Sequence, residues 1–387
     1  MKLGVSVYPD LSPLEDIRNY LQQASACGFT RVFSSMFSMQ GTNEEIVDYF
    51  KRFIDAAHAC GMEVSLDVNP MFLEKLGVPY DDLSLFHEIR CDIMRMDVSY
   101  GKEKDLKMIQ NPYGIRIEYN ASMGAAQEME YFIKNNVSKD AVLLGHNFYP
   151  QRYTGMKWNK FLEINHELKK YGFTIDAFVS SHAPNTHGVW DAVCGLPTVE
   201  KMRDLPIDLQ VRELLATGDV DDIFIGNAYA SIDEMKQIQK VCSQSRKIED
   251  SPIINVLRQY GLVPENLQEK ILKVVVGPQA SQQERWNLLE LFPQDDYGDS
   301  SEWIWRSRAG RMVGASIPFR KYEKDFFDVG DVVIVNNNYP HYAGEIQIVR
   351  IPIKNDGTRN LIGHLAPHEE EMFELIKDGD AVAFYES

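Results

Sequence analysis

The chain has little of what several function classes require. Its five cysteines, Cys27, Cys60, Cys91, Cys194 and Cys242, form no CxxC pair. Neither a disulfide framework nor a thiolate metal site is therefore predicted, and reduced thiols in a cytoplasmic protein are expected. No apolar run approaches the roughly 18 residues needed to cross a bilayer. The opening Met1-Lys2-Leu3-Gly4-Val5-Ser6-Val7-Tyr8 reads as a first strand and not as a signal peptide. Positive charge is scarce: 40 Lys and Arg stand against 57 Asp and Glu, for a formal net charge of -17. That balance argues against nucleic acid or an anionic membrane as partner, while a local arginine cluster can still hold an anionic small molecule. Glycine is missing where a dinucleotide fold needs it, since Tyr8-Pro9-Asp10-Leu11-Ser12-Pro13 has none. His146, His182 and His187 lack HExxH or a comparable ligand spacing, so no metal is predicted. Ser34-Ser35 and Ser180-Ser181 lack a G-x-S-x-G turn. No lysine on an interior strand face suits a Schiff base, and no cofactor is expected.

What is present is a recurring unit. Ala26-Cys27-Gly28-Phe29-Thr30-Arg31-Val32-Phe33, Ala59-Cys60-Gly61-Met62-Glu63-Val64 and Lys170-Tyr171-Gly172-Phe173-Thr174-Ile175 each set a glycine between a helical and an extended run. A glycine there can take the left-handed backbone that ends a helix. Eight strands are predicted, at Leu3–Tyr8, Arg31–Met36, Glu63–Val68, Ile93–Val98, Ile115–Ala121, Val142–Phe148, Thr174–Ser181 and Asp222–Asn227. Helical patterns at Leu14–Cys27, Asn43–Cys60, Met123–Asn136, Lys157–Tyr171 and Ser231–Ser243 separate most of them, with a weaker link around Leu83–Glu88. Eight alternating units predict an α/β chain whose residues 1–245 close a (β/α)8 TIM barrel, in preference to an open doubly wound sheet.

The rhythm then changes. Residues 246–265 read as a linker and approach segment, with Lys247–Pro252 polar and Ile253–Leu272 helical or mixed. Short strand-like runs follow at Lys273–Val276, Trp303–Trp305, Asp331–Val335, Gly344–Arg350 and Ala381–Tyr385. Turn signals such as Asn336-Asn337-Asn338-Tyr339-Pro340 and Asn355-Asp356-Gly357 divide them. A smaller β-rich domain over residues 266–387 is predicted.

Charge on alternate strand positions points to the site. In Ile93-Met94-Arg95-Met96-Asp97 and Ile115-Arg116-Ile117-Glu118-Tyr119-Asn120, charged and apolar residues alternate. Alternate side chains leave a strand on opposite faces, and the face under the helices must be apolar. The charged face then looks into the barrel, where an unpaired charge is very costly. Such charges form either a paired network or a polar active site at the C-terminal ends of the strands. Ser65, Asp67 and Asn69 share the same pattern. Asp97 and Glu118, on neighbouring strands, are the predicted catalytic acids, since paired carboxylates about 5–9.5 Å apart cleave glycosidic bonds. Asp67 is the next acid in line and a predicted substrate contact. Further contacts are expected from Asn120, from Asn147, Tyr149 and Arg152 after strand six, and from Asn227 after strand eight. Tyr149, Tyr153 and Trp158 could stack on a sugar or merely pack. In the second domain, Arg306-Ser307-Arg308-Ala309-Gly310-Arg311 makes a predicted anion fork through Arg306, Ser307 and Arg311, because guanidinium pairs bidentately with phosphate or carboxylate.

Gly4-Val5-Ser6-Val7-Tyr8-Pro9, His146-Asn147-Phe148-Tyr149-Pro150-Gln151-Arg152-Tyr153-Thr154-Gly155, Gly195-Leu196-Pro197-Thr198-Val199-Glu200 and Gly226-Asn227-Ala228-Tyr229-Ala230 resemble the bacterial 6-phospho-N-acetylmuramidase family. Arg306-Ser307-x-x-x-Arg311 looks like the family's matching segment in the second domain. The resemblance spans the chain and is weakest over Ser251 to Asp299. It implies a TIM barrel followed by a cyclophilin-like β-domain. It also implies an intracellular, cytoplasmic glycosidase of cell-wall recycling. The implied partner is a small phosphorylated disaccharide, N-acetylmuramic acid 6-phosphate–N-acetylglucosamine. A non-catalytic sugar-phosphate binding or sensing protein, and a phosphosugar aldolase or isomerase, stand as alternatives.

Overall fold

The computed structural model describes residues 1–36, 39–189, 194–244, 252–259 and 269–387. The chain divides into two compact units, Met1–Lys240 and Val241–Ser387. The expected polar linker at 247–252 lies almost wholly outside the described residues, as does 260–268 of the approach segment; between them runs a helix, Pro252–Gln259. No helix among the described residues is long and apolar enough to cross a membrane.

The first unit is a closed barrel of eight parallel strands: β1 (Leu3–Val7), β2 (Arg31–Ser35), β3 (Glu63–Val68), β4 (Ile93–Met96), β5 (Arg116–Asn120), β6 (Val142–Gly145), β7 (Thr174–Val179) and β8 (Asp222–Ile225). All eight fall within the predicted runs: β3 matches its run, and the other seven end one to three residues earlier. The glycine device works as expected. Gly28, Gly61 and Gly172 have φ of +84°, +73° and +73°. After the first two helices the backbone then turns back, with Phe29 N–H donating to Ala24 and Met62 N–H to Ala57. Helix Asn43–Ala59 begins in a capping box between Thr42 and Glu45, and it buries Ile46, Phe50, Phe53, Ile54 and Ala57 along one face. Helix Ile207–Thr217 escaped sequence reading for a physical reason. It is buried nearly all round, with Asp208, Gln210, Arg212 and Glu213 inside, so no polar stripe marks it.

The strand register explains the alternating charges. Arg31 stands beside Glu63, Asp67 beside Arg95, Arg95 beside Glu118, and Asp176 beside Asp222. Two guanidinium groups organise the interior. Arg31 lies 3.0 Å from Glu118, 3.0 Å from Asp222 and 3.7 Å from Asp176. Arg95 lies 2.7 Å from Asp67, 3.3 Å from Glu118 and 3.9 Å from Asp97. Arg116 takes no part in this network, because it belongs to the opposite end of the barrel and pairs with Glu63 at 3.0 Å. Gly145 makes room for the deep acids: a Cβ there would stand 2.5 Å from Glu118 Oε1 and 3.0 Å from Asp176 Oδ1. Burial, reinforced by the charge of Glu118, raises the Asp176 carboxyl well above its ordinary range.

The other side of the barrel mouth is closed by apolar side chains. Tyr8, Phe33, Phe178, Val189, Leu196 and Phe224 pack into one cluster that Phe148 covers. Phe33, Phe148 and Phe178 meet edge to face, with centroids 5.2–5.8 Å apart. Space for a ligand is left over β3, β4 and β5.

The second unit is β-rich, as expected, and its sheet is mixed. Its strands are β9 (Glu269–Val276), β10 (Gln294–Asp295), β11 (Ile304–Ser307), β12 (Phe326–Phe327), β13 (Asp331–Val335), β14 (Ile346–Val349), β15 (Ile353–Lys354), β16 (Arg359–Leu365) and β17 (Ala381–Glu386). Seven of them form a sheet in the order β10-β17-β9-β16-β13-β14-β11, in which β9 runs parallel to β17 and antiparallel to β16. Strand β16 was not foreseen.

Arg31 is the cation that faces the deepest acids. Arg31→Leu should lower barrel stability by about 3–5 kcal/mol, the usual cost of leaving buried charges without their partner. Chemical denaturation at pH 7.5 checks this. The deficit should shrink towards pH 5 as carboxylates take up protons, and equal stability of variant and parent would refute the role given to Arg31.

Candidate active site

Two adjoining hollows open at the C-terminal ends of the strands, where barrel sites are built. The smaller, ≈ 180 Å³, is bounded by Ser35, Asp67, Arg95, Asp97, Asn147 and Phe148 among others. The wider, ≈ 470 Å³, is bounded by Asp97, Asn120, Asn147, Tyr119, Met123 and Glu128 among others. Asp97 and Asn147 belong to both.

At their junction the chemistry is concentrated on one guanidinium. Nη1 of Arg95 approaches Asp67 Oδ1 at 2.7 Å and Asp97 Oδ1 at 3.9 Å. The two carboxylates are thus closer together than the upper end of the about 5–9.5 Å span used by glycosidases. Nη2 of Arg95 donates to Asn147 Oδ1 at 2.5 Å. Asp97 is the open member of the pair, its side chain 37% exposed. Asp67 is buried, and burial raises its pKa to about 6 against the opposing pull of Arg95. An acid with a raised pKa beside a second, open carboxylate is an arrangement suited to proton transfer.

Glu118 lies one layer deeper than expected and is only 2% exposed. Its Oε2 accepts from Arg31 at 3.0 Å and from Ser65 at 3.3 Å, while Oε1 faces Arg95. It bounds neither hollow. Arg31, Asp176 and Asp222, which hold this layer together, went unnoticed in the sequence. Their signal was available: each is the lone charge of its strand.

The remaining expected contacts divide. Asn120 borders the wider hollow, where its Oδ1 accepts from Ser122 N–H at 2.9 Å. Asn227 is buried and ties β7 to β8, because its amide accepts from Ser181 N–H at 2.8 Å and donates to Ser181 C=O at 2.9 Å. Arg152 makes a two-pronged pair with Asp204, at 2.5 and 3.0 Å. Tyr149 donates its backbone N–H to Pro197 and accepts from Arg203 at its carbonyl. Asn227, Arg152 and Tyr149 therefore border neither hollow. Trp158 stacks on Phe161 and lies beneath Lys201, which is a packing role, and Tyr153 points to solvent.

The run His146–Gly155 is a scaffold for the mouth. Buried Arg203 donates to the carbonyls of Tyr149, Gln151, Cys194 and Gly195, and Glu200 accepts from Tyr153 and Gly155 N–H at 2.7 Å each. His146 is buried beneath it. Burial pulls its pKa down to about 4, only partly opposed by the Asn165 hydrogen bond. The three histidines go to separate partners: His146 to Asn165 and Ser122, His182 to Arg203, His187 to Ser12. Among the described residues no cluster of His, Cys, Asp and Glu is shaped to hold a metal ion.

In the second unit, the three arginines of the expected anion fork are ion-paired. Arg306 and Arg308 both pair with Asp299, the former at 2.7 Å, and Arg311 pairs with buried Glu345 at 3.2 Å while covering Tyr342. Ser307 is buried, and its hydroxyl accepts from Asp295 and Ala309 N–H.

The fold and site define a TIM-barrel protein with an acid pair beside a buried arginine at its mouth, followed by a β-rich unit. The chain belongs to the 6-phospho-N-acetylmuramidase family: residues 3–240 match the family's N-terminal part and residues 271–385 its C-terminal part. A solved B. cereus protein is 32% identical, with 99% of each chain covered and a TM-score of 0.83. A conserved Enterococcus faecalis protein shares the fold at 22% identity, covering 100% of this chain and 97% of its own, with a TM-score of 0.66. No curated protein matches the chain.

His146 should stay neutral through physiological pH. Its imidazole resonances should titrate only as the pH falls towards about 4, and a midpoint near the ordinary 6.5 would refute the buried, Asn165-bonded geometry.

Proposed function

We propose that this chain is a phosphoglycosidase that releases N-acetylmuramic acid 6-phosphate from N-acetylglucosamine, with Asp67 and Asp97 as its working acids. Family membership supports the substrate class. The observation that carries the residue assignment is the meeting of Asp67 and Asp97 at one Arg95 nitrogen, in the wall of the smaller hollow.

Glycoside cleavage needs a proton for the leaving oxygen and negative charge near the developing oxocarbenium ion. Asp67, with its pKa pushed up to about 6, is the proton donor in this reading. Asp97, open to both hollows, is the carboxylate that activates water or orients an acetamido nucleophile of the substrate. Arg95 keeps the pair apart in function, since its charge faces both acids while Asn147 fixes its second amino group. Glu118 is a positioning residue in this account and not a catalytic one. It holds Arg95 from below, as Arg31 in turn holds Glu118.

Asp97→Asn should lower kcat on the phosphorylated disaccharide by at least about a hundredfold with the fold retained, the range of a lost acid–base group. The kcat/KM of the parent should fall as pH rises through about 6, where Asp67 loses its proton, and Asp67→Asn should abolish that limb. Near-parental turnover in both variants would defeat the assignment. Glu118→Gln should chiefly reduce stability. If it instead matched Asp97→Asn in kcat without loss of stability, Glu118 would be the acid.

A further inference from the structure

Resting on that reading, we propose that the wider hollow is the subsite for the uncharged leaving sugar, and that Glu128 makes it reject an anionic one. The hollow starts at Asp97 and Asn147 and extends over the ends of β4 and β5 to helix Ala126–Lys134, which carries Glu128. Its size, ≈ 470 Å³, falls within the range of small-ligand pockets.

Three features of the lining set the chemistry of the occupant. Among the described residues the lining has no lysine or arginine, but it has two carboxyl side chains, Asp97 and Glu128. A phosphate or carboxylate beside Glu128 would meet like charge with no lysine or arginine in the lining to offset it, a juxtaposition that disfavours binding. The apolar part comes from Met96, Val98, Ala125 and Met123, the last 83% exposed at the rim. Those side chains suit the C–H face and acetamido methyl of an N-acetylated sugar, and methionine adapts to such irregular shapes. Finally, Tyr119 is buried on this wall, and its hydroxyl has no hydrogen-bond partner in the protein. A buried polar group in that state calls for a partner, and a sugar hydroxyl supplies one. The anionic half of the substrate is accordingly excluded from this side of Asp97.

The test uses the full chain with 13C-labelled methionine methyl groups. N-acetylglucosamine and N-acetylglucosamine 6-phosphate are titrated separately while the Met123 methyl resonance is followed. The uncharged sugar should shift it at about tenfold lower concentration than the phosphorylated one, given the cost of facing like charge. Glu128→Lys should bring the two within about threefold of each other, and Tyr119→Phe should weaken the uncharged sugar about fivefold, the worth of one hydrogen bond. A phosphorylated sugar that binds as well as the uncharged one overturns the proposal, and so does a Met123 resonance that neither sugar moves. Cleavage of the phosphorylated disaccharide is measured in parallel. An inert protein whose Met123 still responds to the uncharged sugar supports the subsite while overturning the phosphoglycosidase reading. An active enzyme whose Met123 stays silent does the reverse.

Discussion

Everything inside the barrel depends on two buried guanidinium groups facing a larger number of buried acids. Arg31 and Arg95 are enclosed with Asp67, Glu118, Asp176 and Asp222. Burial alone would disfavour charge on each arginine, yet the surrounding carboxylates outweigh it and hold both firmly protonated. The acids are in excess, and burial pushes the Asp176 carboxyl well above its usual range. At the upper edge of this network burial lifts the pKa of Asp67 to about 6, against the pull of Arg95. The same network cannot be trimmed piecemeal, because removing one member leaves its partners charged and dry.

The mouth of the barrel shows a second constraint, that of space. Aromatic and aliphatic side chains around Phe33, Phe178 and Phe224 fill the region over β1, β2, β7 and β8. The two hollows lie beside this fill, over β3, β4 and β5, where the strands end in Asp67, Asp97 and Asn120. The conspicuous run from His146 to Gly155 contributes mostly by holding this geometry. Arg203 and Glu200 secure its backbone, and Asn147 is the residue of the run that touches Arg95. A motif can therefore be specific to a family through the support it gives a site, with few of its side chains meeting ligand.

Much of this was legible in the chain itself. The helix–glycine–strand units and the period-two alternation of Arg95, Asp97, Glu118 and Asn120 are local signals, written within a few residues. They determined the barrel, the inward face of each strand and the presence of interior charge. Asp331–Val335 was legible as a short β-branched run between turn residues. Helix Ile207–Thr217 was not, because a helix buried on all sides carries no amphipathic stripe.

Depth and partnership were decided only by the tertiary structure. Asp67, Glu118 and Asp97 look equivalent as letters in alternating strands, but the barrel places Glu118 one layer down between two arginines and leaves Asp97 open. Arg116, equally charged and equally inward, closes the opposite end with Glu63. Arg311 shows no partner in its own stretch of sequence, and the sheet brings Glu345, distant along the chain, beside it. A strand's own sequence sets which way a side chain points. Which charge it meets, and how far it lies from water, depends on the register of strands that are separated along the chain, and that exists only once the barrel has closed.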